Sequence, residues 1–126
     1  AAFRDRPSWL LGNTLMRARM CELLRPAGDD QEAGAFFMAG MLSHLDALLA
    51  VSLPEAVGSL DLVPSVSDAL LSRKGSIGRA LSAVEGYEKG CWDAVIAAGF
   101  DDLTAVRAAY LEAVGWSEEA LNLTTD

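Results

Sequence analysis

The strongest constraint on the fold is one apolar stretch from Ala35 to Val51, AFFMAGMLSHLDALLAV. Apolar residues recur in it at alternating spacings of three and four, at Ala35, Met38, Leu42, Leu45 and Leu49. This spacing places them on one face of a helix that packs against a core. Four more large apolar residues widen that face: Phe36, Phe37, Met41 and Leu48. We therefore predict one central helix, beginning near Glu32 and surrounded by neighbouring helices.

Length and composition favour a single helical domain. The chain has 126 residues, which suffices for one core. Its residues are 52% hydrophobic but only 7% aromatic, a balance rich in Ala, Leu and Val that suits helices, and no stretch shows long strand-like alternation. We predict an all-α fold, a compact orthogonal multi-helix bundle spanning residues 1–126. Because the chain begins at Ala1 without an initiator Met, we expect it to be a fragment of a longer protein.

Proline, glycine and capping residues mark the ends of the other helices. A first helix should begin at Pro7 or Ser8 and run to about Arg25. Its inward residues are predicted to be Trp9, Met16, Met20, Leu23 and Leu24, with Arg17, Arg19 and Glu22 solvated. The capping spacing of Ser52 and Glu55 precedes a short helix. The later helices are predicted near Pro54 to Ser59, from Ser65 to before Gly75, from a cap at Ser76 to about Gly90, from Trp92 to Gly99, and from a cap at Asp101 or Asp102 onwards.

Charge and cysteine content narrow the possible partners. Ten Lys and Arg against eighteen Asp and Glu give a net charge of −8, which repels phosphate backbones and anionic headgroups. No apolar run reaches the roughly 18 to 20 residues of a membrane span. We therefore expect neither a nucleic-acid nor a membrane partner. Cys21 and Cys91 lack metal-binding or redox spacing, so we predict buried thiols in a reducing cytoplasm.

The three tryptophans, Trp9, Trp92 and Trp116, are predicted to lie mostly in the core. An exposed one would mark a docking surface, because indoles contribute strongly to interface energetics.

Five blocks together resemble one known family. They are RARMCELL (17–24), AFFMAGMLSHLDALL (35–49), LPEAVGSLDL (53–62), GSIGRALSAVEGYEKGCWD (75–93) and AAYLEAV (108–114). In order and spacing they are similar to the C-terminal part of the HDOD domain, a modified relative of the metal-dependent HD and HD-GYP domains. The resemblance implies an HD-domain-like fold and a cytoplasmic regulatory module in bacterial signal transduction. It also implies a neighbouring EAL domain, to which any phosphodiesterase activity would belong.

The relation to HD domains raises the question of a metal site on the central helix. In the catalytic relatives an adjacent His-Asp pair binds metal together with further His and Asp residues. Here that pair corresponds to Ser43 and His44, or in another register to His44 and Asp46. Because His44 is the chain's single histidine, we predict no metal, no cofactor and no catalytic residue. The alternative is a residual HD-type phosphohydrolase or phosphodiesterase whose site is completed elsewhere.

The roles of His44 and Asp46 are left open by the residues alone. For His44 we favour a partly buried imidazole bonded to a neighbouring carbonyl or hydroxyl. Asp46 is two residues away, a spacing that puts the two side chains on different helix faces. It is expected to cap a helix or pair with another one.

A basic cluster in this acidic chain is the other candidate site. Arg73, Lys74 and Ser76 lie at a predicted helix start, where they could hold an anion or a partner's carboxylate. The structural alternative is a helix C-cap with cations in its last turn, followed by an N-cap. Glu85 and Glu88 are predicted to form a solvated helix face. The expected partners are other domains of the same polypeptide or another signalling protein.

Overall fold

Eight helices make up the part of the chain that the computed structural model describes, residues 8–125 without the side chains of residues 8, 48, 124 and 125. They are α1 (Ser8–Leu23), α2 (Ala33–Leu42), α3 (Leu45–Leu49), α4 (Leu53–Gly58), α5 (Pro64–Ser72), α6 (Gly75–Glu88), α7 (Trp92–Ala97) and α8 (Leu103–Thr125). Helix accounts for 75% of these residues and none is in a strand, which confirms the all-α prediction. Pro7, the other predicted start of the first helix, lies outside the described residues.

Helix α1 is the element on which the bundle is built. Both α2 and α8 pack along it, while α6 packs against α1, α2, α5 and α7. Its inward side chains include Met16, Met20 and Leu24 at its end, all buried as predicted. The rest of the core comes chiefly from Phe36, Val66, Leu70, Ile77, Leu81, Val84, Val95 and Val106.

Two glycines allow helices to approach at the backbone. A Cβ added to Gly40 of α2 would lie 2.8 Å from Ala18 Cα and 2.8 Å from Arg17 O of α1. A Cβ added to Gly78 of α6 would lie 2.1 Å from the carbonyl carbon of Arg73. Neither distance is compatible with a side chain. These contacts therefore fix how α2 crosses α1 and how α6 turns away from α5.

The predicted central helix is broken in the structure. Helix α2 ends at Leu42, where the Ser43 hydroxyl donates to Gly40 O (2.6 Å), and α3 begins after His44, whose φ of −102° and ψ of 6° are not helical. The buried residues of α2 are Phe36, Ala39 and Gly40, while Met38 is 43% exposed. The close approach at Gly40 decides this face, because only a residue without a side chain fits at that position against the α1 backbone.

The predicted apolar stripe of the central helix was therefore wrong at Met38 and in its length, whereas Ala35 and Leu42 pack partly buried against the core as predicted. Leu49, at its far end, is 39% exposed in α3. The side chain of Leu48, which was predicted to widen the stripe, lies outside the described part.

The later helices follow the sequence more closely. Ile77, Leu81 and Val84 of α6 are buried as predicted. The hydroxyl of Ser52 accepts from Glu55 N (3.3 Å), and Asp102 Oδ1 accepts from Ala105 N (3.1 Å), so both predicted caps are present. The predicted cap at Ser76 is wrong, because α6 begins at Gly75 after Lys74 and Ser76 therefore lies inside its first turn.

Several residues expected in the core lie at the surface. Trp9 is 67% exposed and Trp92 48% exposed, and Cys91 is exposed, whereas Cys21 is buried as predicted. The reason at Trp92 is the shortness of α7, which buries Val95 against the bundle and leaves the residues around it open to solvent. Trp116 is partly buried and packs edge-on against Phe37, with ring centroids 5.7 Å apart. None of the described helices is long and apolar enough to cross a membrane.

Candidate functional site

Polar side chains meet inside the bundle where α2 breaks. We call this set the polar junction: Thr14 and Arg17 of α1, Ser43 and His44 between α2 and α3, and Glu85 and Glu88 of α6. Thr14 and Arg17 reach it because they continue the inward stripe of α1. Glu85 and Glu88 reach it from one side of α6, where residues three apart are neighbours.

Arg17 holds the junction together. Its Nη2 donates to Glu88 Oε1 (2.6 Å) and its Nε to Glu88 Oε2 (3.4 Å), while Nη1 donates to Ser43 Oγ (3.0 Å). Nη1 also lies 3.7 Å from Glu85 Oε2. The Arg17 side chain is only 12% exposed and that of Glu88 16%, so this paired guanidinium and carboxylate are largely withdrawn from water. The prediction that Arg17 and Glu88 are solvated was wrong.

The junction continues to the corner between α5 and α6. Arg73 has a left-handed backbone (φ 55°) at the C-terminus of α5, and its Nη1 donates to Ala69 O (3.0 Å) and to Leu70 O. Its Nε and Nη2 donate to the two carboxylate oxygens of Glu85 at 2.8 and 2.9 Å. Burial raises the pKa of Glu85, but the hydrogen bonds and charge of Arg73, with the charge of Arg17, outweigh burial and lower it overall.

His44 makes one defined hydrogen bond in the junction. The Thr14 hydroxyl donates to Leu10 O (2.8 Å), so its hydrogen is not available to the imidazole, and His44 Nδ1 (3.2 Å away) must donate to Thr14 Oγ1. Nε2 makes no hydrogen bond to a described residue. Burial, and next the charge of Arg17, lower the pKa of His44, so the ring is neutral at neutral pH. The predicted partly buried imidazole bonded to a hydroxyl is confirmed.

The arrangement is that of a structural link between helices. Asp46 is exposed and accepts from the adjacent Ala47 N (2.9 Å), in the first turn of α3.

Burial raises the pKa of the Cys21 thiol to about 12, so it is not a nucleophile at neutral pH. Among the residues with described side chains, no three His, Cys, Asp or Glu are grouped so that they could hold a metal ion.

The predicted cluster of Arg73, Lys74 and Ser76 is divided by the fold. Arg73 points to Glu85 and caps α5, as the structural alternative predicted. Ser76 Oγ donates to Asp29 Oδ2 (2.8 Å), which also accepts from Gln31 N (3.0 Å). The hydrogen bond from Gln31, and next that from Ser76, lower the pKa of Asp29.

Lys74 lines a groove of about 320 Å³ between α5, the start of α6 and the loop after α1. The charged residues of this groove are Asp29, Asp30, Asp68, Lys74 and Arg79. With three carboxylates against two cations, the groove is a weaker anion site than the sequence suggested. An anion or carboxylate contact at Arg73, Lys74 and Ser76 stays a prediction.

Two curated bacterial proteins match most of this chain. It is 35% identical over 122 residues to the cyclic di-GMP phosphodiesterase CdgJ of Vibrio cholerae, an alignment that covers 90% of this chain and 27% of that protein. It is 30% identical over 110 residues to the uncharacterized protein YuxH of Bacillus subtilis, covering 86% of this chain and 27% of that protein. The chain is homologous to a segment of a cyclic di-GMP phosphodiesterase.

The extent of this homology limits what it shows. The chain spans about a quarter (27%) of the length of both relatives. No protein-family model matches the chain, and no solved structure matches it. The homology therefore relates the chain to one segment of each relative, and leaves open which part of those proteins' chemistry resides in it.

The sequence analysis missed the pairing of Arg17 with Glu88, although a signal was present. Thr14, Arg17, Cys21 and Leu24 recur at spacings of three, four and three, which puts Arg17 on the buried stripe of α1. Leu81, Glu85 and Glu88 have the same relation in α6. A charged residue on each of two apolar stripes indicates an ion pair between the helices.

Proposed function

We propose that this chain is a non-catalytic regulatory domain of the HDOD type in cyclic di-GMP signalling. In this proposal it transmits contacts between other domains of its polypeptide, an EAL phosphodiesterase domain among them, or binds another signalling protein. The observation that carries it is the 35% identity to a segment of CdgJ, a protein named for cyclic di-GMP hydrolysis. The resemblance to HDOD domains supports a regulatory role for this segment.

The polar junction supports a structural role for the residues that a catalytic relative would use. An HD-type metal site needs several imidazoles and carboxylates, because a transition-metal ion must exchange most of its water for protein ligands. Here one imidazole donates to Thr14, and the two nearest glutamates each form a paired set of hydrogen bonds with an arginine. Recruiting Glu85 or Glu88 to a metal would leave Arg73 or Arg17 without its partner.

Hydrolysis and metal content test this proposal on the purified chain. We expect no hydrolysis of cyclic di-GMP or nucleotides with Mn²⁺ or Mg²⁺, and no stoichiometric transition metal by elemental analysis. The alternative, a residual HD-type phosphohydrolase, predicts metal-dependent turnover that disappears in His44→Ala.

Asp61→Asn is the matched control, because Asp61 is exposed in the loop between α4 and α5 and belongs neither to the polar junction nor to the possible His-Asp pair. Turnover that persists in Asp61→Asn and is abolished in His44→Ala would disprove the regulatory proposal for this segment.

A further inference from the structure

One side of α8 carries an apolar band that the other described helices cover only in part, since Leu103 and Val114 pack partly buried against the core while Leu111 is exposed. Residues three or four apart share a helix side. They define the α8 flank: Leu103, Arg107, Leu111, Val114, Glu118 and Leu121. Leu111, near its middle, is 55% exposed. Arg107, Leu111 and Glu118 are exposed, so the flank is in part a surface, although four of its six residues are apolar.

A groove opens at each end of the α8 flank. The Trp92 groove, of about 180 Å³, is lined by Tyr87, Trp92, Leu103 and Arg107. The Trp9 groove, of about 330 Å³, includes Trp9, Gly12, Tyr110, Val114, Glu118 and Leu121 in its lining. Tyr110 joins the two, because its ring lies 4.9 Å from that of Tyr87, centroid to centroid. The exposed indoles of Trp9 and Trp92 thus belong to one continuous band.

The charges on this band have opposite signs at opposite ends. Arg107 borders the Trp92 groove and Glu118 borders the Trp9 groove. They are eleven residues apart, which at about 1.5 Å per residue is about 16 Å along the helix. Neither makes an ion pair with another described residue.

We propose that the α8 flank binds a second copy of this chain, with the two α8 helices antiparallel about a two-fold axis. An axis crossing α8 between Glu112 and Ala113 sets Arg107 against Glu118 of the partner subunit. It also sets Leu111 against Val114 of the partner subunit. Each of these contacts occurs twice, as a two-fold interface requires.

Charge is what selects a second copy as the occupant. Two chains of charge −8 repel each other over most of their surfaces. On the α8 flank each cation meets a carboxylate, so the repulsion is locally replaced by two attractive pairs. The same axis brings the Trp92 end of one copy to the Trp9 end of the other, which covers both indoles with apolar surface. The α8 flank can serve this purpose whether or not the chain acts in cyclic di-GMP signalling.

Sedimentation velocity over a range of protein concentrations tests this assignment. We expect a reversible dimer for the 126-residue chain. Arg107→Glu should raise the dimer dissociation constant by about tenfold or more, because both attractive pairs become carboxylate pairs. Glu118→Arg should have a similar effect. The double variant Arg107→Glu/Glu118→Arg restores opposite charges at both contacts and should recover the dimer.

Two matched controls separate the interface from general effects of charge and polarity. Arg79→Glu changes the net charge as Arg107→Glu does, but lies on α6 in the groove with Lys74. Leu111→Glu should abolish the dimer, whereas Leu71→Glu, at a residue 51% exposed on α5, should not. Circular dichroism of each variant verifies the fold. The assignment would be overturned if the chain is a monomer at all concentrations. It would also be overturned if substitutions of Arg107, Glu118 and Leu111 leave the dimer dissociation constant unchanged. Another domain could then be the occupant of the flank.

Discussion

The polar junction and the α8 flank contain the same kinds of residue in opposite environments. In the junction Arg17 is 12% exposed and bonded to Glu88, and Gly40 leaves no room for a methyl group. On α8, Arg107 and Glu118 are exposed, and a Cβ added to Gly115 would meet nothing within 4 Å. An arginine, a glutamate and a glycine therefore determine how the helices pack around the polar junction. The same three residue types do not determine helix packing on the exposed side of α8.

The difference shows that the contribution of a side chain to the free energy of unfolding depends on its burial and its partners rather than on its residue type. A charge in the junction has given up water and depends on its counter-ion. A charge on the α8 flank keeps its water and matters only when another surface arrives. Substitutions matched between the two regions should reveal this contrast.

Gly40→Ala should destabilise the protein by about 3 kcal/mol, because the new methyl group meets the backbone of α1, which cannot move without separating α1 from α2. Gly115→Ala should instead stabilise it by about 0.5 to 1 kcal/mol, since alanine is the better helix former and has space. Chemical unfolding of both variants measures the two effects. Equal effects of the two substitutions would contradict the close contact between α1 and α2.

Arg17→Met should lower the free energy of unfolding by about 2 kcal/mol, because it leaves Glu88 buried without its cation. Arg107→Met should change it by less than about 0.5 kcal/mol. Both are measured by chemical unfolding at low protein concentration, so that self-association does not contribute. Adding Glu88→Gln to Arg17→Met should recover part of the loss. If the loss of unfolding free energy in the double variant equals the sum of the losses in the two single variants, the two side chains do not interact.

Glu85 should make the free energy of unfolding depend on pH in the acidic range. Its pKa is lowered from 4.5 in the folded protein, so its stabilising contribution is complete above about pH 4.5 and is lost as pH falls through the lower folded value. Glu85→Gln should therefore cost about 1 kcal/mol at pH 7 and much less at pH 3. Unfolding free energies at the two pH values give the comparison. Glu118→Gln, at an exposed residue of α8, is the control.

His44 should produce the smallest effect, in a different pH range. Its pKa is lowered from 6.5, so the folded protein favours the neutral ring, and stability should decrease as pH falls below about 6.5. Protonation would place a second cation beside Arg17. Unfolding free energies of the unsubstituted protein and His44→Gln, followed from pH 7.5 to 5.5, should converge on acidification. Parallel curves would show that the imidazole is not perturbed.

The sequence predicted local features most reliably where one element alone decides them. The caps at Ser52 and Asp102 depend on a side chain and an amide three residues away, and both are present. The inward residues of α6 follow from a single apolar stripe with glycine at its end. The candidate site was less predictable, because Arg17, Glu85 and Glu88 are adjacent only through the packing of α1 against α6.

Length, composition and the spacing of apolar, proline and glycine residues thus determined a helical domain and the approximate limits of most of its helices. These properties act within a few residues, so they can be recognised along the chain. The break at Ser43 and His44, the burial of Arg17 and the exposure of Trp9 and Trp92 were decided by the tertiary structure alone. They depend on how closely α2 approaches α1 at Gly40 and on which surfaces other helices reach, and both involve residues far apart in the sequence.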